Sequence, residues 1–97
     1  MIRKGDTMEI IKEENKIVVL NEQQKEIAYI IFPKLENNLV TLKSTYVDET
    51  LRGKGIAHQL LVLFCDELRR TNRKAIVTCS YAKDWFLKHP MYQDVLV

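Results

Sequence analysis

The chain has 97 residues, 46% of them apolar and 29% charged, with a formal net charge of +2. That length suits one domain with a small core, and the near balance of charge argues against a strongly basic nucleic-acid binder. No apolar run reaches the roughly 20 residues of a membrane span, so no membrane partner is expected. The basic start, Met1 to Thr7, has no long apolar stretch behind it. It reads as a loose leader and not as a signal peptide, with Met8 near the start of structure. Met8 to Lys12 and Lys16 to Leu20 are short apolar runs on either side of a polar turn at 13–15. A second turn, Asn21 to Gln24, leads into Lys25 to Phe32 (KEIAYIIF), a strand rich in Ile and aromatics. Pro33 stops it, because proline has no N–H to give a ladder. Glu36 to Asn38 is turn-like, and Leu39 to Val47 (LVTLKSTYV) reads as one further strand. To this point the pattern is an antiparallel meander.

The period then changes. From Gly55 to Arg70 the apolar residues recur at helical spacing, giving one broad stripe of Ile56, Leu60 and Leu63 with Ala57, Leu61, Phe64 and Leu68. Arg69 and Arg70 suit the negative end of the helix dipole, and Asn72 is a left-handed stop. Ala75 to Cys79 (AIVTC) is a buried-type strand, and Tyr81 to Lys88 is a short helix ended before Pro90. Strand, helix, strand over 39–79 implies a right-handed crossover and a parallel strand pair. The fold class is therefore α+β, a mixed and mostly antiparallel sheet with one main helix and one short C-terminal helix. Two cysteines, Cys65 and Cys79, match no metal-ligand spacing, so no metal is expected, and a reduced, cytoplasmic protein is the simplest reading.

The chemistry is concentrated where the strand turns into the main helix. In LRGKGIA, Gly53 and Gly55 permit a tight turn and close approach, while Arg52 and Lys54 add positive charge. The helix that opens at Gly55 brings unpaired amides and the positive end of its dipole. The crossover places this helix start at the C-terminal edge of two parallel strands, a favoured ligand position. Neither GxxxxGK[ST] nor GxGxxG is present, so the spacing points to an anion without naming a nucleotide. A plain glycine turn with solvated cations remains the alternative.

Arg52-Gly53-Lys54-Gly55-Ile56-Ala57 resembles the (Gln/Arg)-x-x-Gly-x-(Gly/Ala) signature of the GNAT acetyltransferase superfamily, and the element order agrees. Thr78-Cys79-Ser80-Tyr81-Ala82-Lys83-Asp84-Trp85, followed by His89-Pro90-Met91-Tyr92-Gln93-Asp94, is similar to a short branch of it with a cysteine after the last core strand and a His-Pro-x-Tyr-x-Asp tail. The resemblance implies a GNAT-like single domain over 1–97 with a splayed parallel pair, Leu39–Val47 and Ala75–Cys79. It implies acetyl-coenzyme A as co-substrate and an unidentified amine as acceptor. The diphosphate would lie on the loop amides of Arg52 to Ala57, and backbone groups near Tyr46 and Val47 would bond the pantetheine arm.

Three departures from the family bear on acceptor chemistry. Typical members place two helices between their first two strands, where this chain has only about Glu13–Lys16. A thiolate-protonating Tyr on the last helix corresponds to Phe86, and a His before the Thr of the fourth strand corresponds to Ser44. A coenzyme-binding module or acyl sensor without turnover is therefore the alternative to a working transferase.

Cys79 is a candidate nucleophile or acid, since a helix N-terminus favours thiolate, with Ser80 as the expected cap; inert packing is the alternative. Tyr81 is a candidate proton donor in place of the absent Tyr, Ser80 is also a candidate coenzyme contact, and Lys83 is within reach of a coenzyme phosphate unless merely solvated. His58 reads as solvated or phosphate-facing, and His89 as a helix-end residue. Trp85, Phe86 and Tyr92 read as packing, and Asp48 and Glu49 as residues that shape the turn. Cys65 belongs to the core, and the helix C-terminus already accounts for Arg69, Arg70, Arg73 and Lys74.

Overall fold

The apolar runs of the first half become strands because each is bounded by a residue that can turn the chain. In the computed structural model, which describes residues 8–97, β1 (Glu9–Glu13) and β2 (Lys16–Leu20) pair antiparallel across the Glu14–Asn15 turn. The leader expected at 1–7 lies outside the described residues. The Asn21 side chain shapes the next turn, its Oδ1 accepting from the amides of Gln23 and Lys25 at 2.9 and 3.0 Å. β3 (Glu26–Ile31) then returns along β2.

The expected strand over 39–47 is two strands. β5 (Leu39–Leu42) pairs antiparallel with β4 (Lys34–Glu36) and parallel with β7 (Lys74–Val77), while β6 (Ser44–Val47) pairs antiparallel with β3. The switch falls at exposed Lys43, whose amide turns to Ile31 O at 3.0 Å. Two sheets result, β1-β2-β3-β6 and β4-β5-β7. β4 was not expected, because Lys34–Glu36 has two charges and no apolar alternation. Left-handed Asn38, at φ 58°, lets the chain double back and pair it.

α1 (Ile56–Thr71) buries Ile56, Leu60, Leu61, Phe64, Cys65 and Leu68 against the sheets, and Asn72 ends it at φ 55°. Phe64 meets Phe32 edge-on at 4.8 Å between ring centres, both without solvent exposure. Each such burial contributes about 1.5–3 kcal/mol relative to exposure. β7 ends at Val77, two residues earlier than expected, although the Thr78 amide still reaches Leu42 O at 3.1 Å. Cys79, not Ser80, is the cap of α2 (Ser80–Lys88), because its carbonyl already accepts the first helical bond from the Lys83 amide at 2.9 Å. A 3-10 segment, Pro90–Val95, follows, and Leu96 bridges to Ala75 beside β7. No helix among the described residues is long and apolar enough to cross a membrane.

Candidate functional site

β5 and β7 run together over four residues and then part, because β6 leaves to join β3. The gap opens between β6 and the chain at Thr78–Cys79. Antiparallel ladders alternate the direction of successive backbone groups. Since the Asp48 amide bonds Ile27 O on β3 at 2.7 Å, the N–H groups of Val47 and Thr45 turn away from β3 toward the gap. Tyr46 turns its backbone to β3 and offers its ring instead, stacked on Tyr29 at 5.1 Å.

Beyond β6 a short 3-10 turn, Glu49–Leu51, is capped by Asp48, whose Oδ1 accepts from the Thr50 hydroxyl at 2.7 Å and its amide at 2.9 Å. Those bonds, the hydroxyl's foremost, hold the Asp48 carboxyl below its usual range, so Asp48 shapes the turn. The loop then passes through Gly53 and Gly55, both left-handed at φ 84° and 81°. A β-carbon added at either would meet no atom within 4 Å, so both glycines face open space. Arg52 and Gly53 form a hydrogen-bonded turn, and from Gly55 to His58 no backbone N–H has a hydrogen-bond partner among the described residues; the first helical bond of α1 is Gln59 N–H to Gly55 O at 3.0 Å. Arg52 folds back over the loop, its Nε donating to Val47 O at 3.0 Å.

A cavity of about 510 Å³ lies against this loop. Of the expected residues, Tyr46, Val47, Arg52, Gly53, Gly55, Ile56, Ala57 and Tyr81 line it. Lys54, Ser80 and Lys83 stand exposed outside that lining. Cys79 is half-buried behind it, with Sγ 4.0 Å from Thr45 Oγ1. Thr45 and Leu51 also line the cavity and were not foreseen as lining, and His58, read as solvated or phosphate-facing, lines it too. Thr45 was legible in principle, since residues two apart on a strand turn their backbone the same way. The bond that holds His58 was not legible, because its partner Trp85 stands 27 positions away and donates from indole Nε1 to Nδ1 at 2.9 Å.

The remaining candidates have structural partners. Phe86 is 2% exposed and carries no hydroxyl to the cavity. Arg69 makes a two-point pair with Asp94 at 2.9 and 2.6 Å, and Arg70 pairs with Glu67. Arg73 donates to Thr71 and to Glu14 O, and Lys74 donates to Asp94 O. Cys65 is fully buried, which pushes its thiol up to about 12.

Known proteins share this arrangement. A family profile described as GCN5-related N-acetyl-transferase matches residues 16–95. The solution structure of a GCN5-like protein from Staphylococcus aureus is 32% identical, covers 92% of this chain and 87% of its own, and aligns with a TM-score of 0.76. Two larger structures share the fold. Tetrahymena GCN5 is 21% identical at a TM-score of 0.63, over 75% of this chain and 48% of its own. A GNAT-family N-acetyltransferase from Escherichia coli in complex with CoA is 24% identical at a TM-score of 0.57, over 64% and 38%. No curated protein matches the chain. A profile that spans most of the sequence and a relative aligned over nearly all of it agree with the split sheet and the open loop: the chain belongs to the GCN5-related N-acetyltransferase family.

Proposed function

We propose that the protein moves acetyl from acetyl-coenzyme A to an amine, with the diphosphate held on the backbone N–H groups of Gly55 to His58. The carrying observation is that run of amides without partners, opening a helix beside a cavity. Amides aimed one way at a helix start suit a diphosphate, and the two left-handed glycines put no side chain in its way. Arg52 and Lys54 add charge on either side of Gly53. The N–H groups of Thr45 and Val47 supply the edge along which the pantetheine arm lies, in place of a missing strand. Acetyl-coenzyme A brings a thioester, whose carbonyl carbon bonds the amine nitrogen as the C–S bond breaks and the thiolate leaves, the nitrogen giving up its proton to solvent. The Val47 N–H polarises the carbonyl, a fixed dipole that needs no side chain. Tyr81, 48% exposed in the cavity lining, donates a proton to the departing sulfur. Cys79 is the second candidate, set back behind Thr45. Ser80 and Lys83, at the start of α2, lie within the coenzyme's reach.

Calorimetric titration with acetyl-coenzyme A tests the binding half, with one-to-one binding expected. Release of free coenzyme with a panel of amines, peptides and polyamines tests the transfer. No binding would sink the reading. A second reading, a coenzyme-binding module without turnover, is favoured by buried Phe86 and by the two-residue turn between β1 and β2. Tight binding with no transfer to any amine would support it.

A further inference from the structure

The tail beyond α2 is joined to the candidate site through one residue. Trp85 is 5% exposed, so its indole N–H needs a protein partner. It finds His58 Nδ1 at 2.9 Å. An indole N–H only donates, so Nδ1 of His58 must be the acceptor, and the ring's one proton sits on Nε2. The same residue fixes a second ring: His89 Nδ1 lies 2.7 Å from the Trp85 carbonyl, which only accepts, so His89 carries its proton on Nδ1. The indole itself is clamped. His89 stacks on it at 4.2 Å and 18°, and Tyr92 stacks at 5.5 Å and 29°. Tyr92 in turn lies under the Arg69 guanidinium at 4.8 Å, and Arg69 is held by Asp94. The polar and aromatic members of His89-Pro90-Met91-Tyr92-Gln93-Asp94 thus all support the fold around Trp85. His89 and Tyr92 brace the indole, Asp94 anchors Arg69, and Gln93 bonds Phe86 O at 3.0 Å.

His58 stands in the first turn of α1, among the amides without partners, and lines the cavity. Trp85 does not line it, so the ring edge turned from Trp85 is the one available to a ligand. We infer that Trp85 is a positioning residue, which holds His58 as the Nε2–H tautomer so that His58 adds a neutral side-chain donor to the backbone amides that grip the coenzyme's diphosphate. This rests on the coenzyme site proposed above. A doubly protonated His58 would lose its bond to Trp85, so the donor offered is the uncharged one. Because the anion is charged, one such hydrogen bond is a strong one.

Two measurements test this. Two-dimensional 15N NMR of the imidazoles in the ligand-free protein reads the tautomer, with His58 expected as Nε2–H without a detectable Nδ1–H share and Trp85→Phe expected to let in the Nδ1–H minority of a free imidazole. A His58 found as Nδ1–H, or unchanged in Trp85→Phe, would overturn the inference. Calorimetry with coenzyme A reads the donor: His58→Phe should weaken binding about tenfold or more, while His58→Gln, which keeps an amide donor, should recover part of it. The loss should persist with dephospho-coenzyme A and vanish with pantetheine. Equal binding by native and His58→Phe proteins, or a loss confined to the 3′-phosphate form, would refute the donor role while leaving the coenzyme site standing. Failure of the native protein itself to bind coenzyme A would remove the site as a whole, which is a separate outcome.

Discussion

Gly55 carries the sharpest single-residue consequence. At φ 81° it occupies a region that costs other residues about 1–2 kcal/mol, yet a β-carbon there would touch nothing. Gly55→Val should therefore fold, with a modestly lower melting temperature, and lose coenzyme binding in calorimetry because the branched side chain would fill the anion's place. Cys79 is the opposite case, a thiol outside the cavity lining with its Sγ 4.0 Å from Thr45 Oγ1. Cys79→Ala should bind acetyl-coenzyme A nearly as the native protein does; unchanged transfer would leave Tyr81 as the proton donor and end any covalent role. The two thiols should also differ in labelling. Burial raises the Cys65 thiol to about 12, so a disulfide reagent at mild alkaline pH should modify Cys79 and leave Cys65 intact until the protein unfolds, as read by mass spectrometry.

At the scale of elements, the 3-10 tail is held to α1 by charge. Arg69, first by its hydrogen bonds and then by its field, holds the Asp94 carboxyl below the usual Asp value of 3.8. A depressed folded value means that the stabilisation is complete above the ordinary value and is lost as pH falls through the lower folded one. Glu67, held down by Arg70, acts with the same sign. The melting temperature of the native protein should thus drop on acidification below about pH 4. Asp94→Asn should begin lower at neutral pH and fall less steeply, with Glu67 and Asp48 supplying the remaining slope. Because Arg69 also braces Tyr92 against Trp85, the same variant should loosen the His58 ring, which imidazole NMR would register.

Over the whole molecule, one core joins both sheets to both helices, and Phe64 against Phe32 lies within it. Phe64→Ala should cost about 3–5 kcal/mol in denaturant unfolding, enough to leave a domain of this size near its limit of stability. The sequence by itself determined what depends on neighbours along the chain. It set the α1 stripe and its Asn72 stop, the turn at Asn21 and the strand stop at Pro33. It also marked the glycine loop, where φ above zero and the absence of side chains are properties of the residues themselves. The tertiary structure alone decided where 39–47 divides, because Lys43 turns to Ile31 in another strand. It paired charged β4, which has no periodicity to betray it. It also made Cys79 the cap of α2, by the direction of one carbonyl. Above all it brought His58 to Trp85 across 27 residues. A hydrogen bond between distant positions leaves no periodic trace, since either side chain alone reads as ordinary surface or ordinary packing.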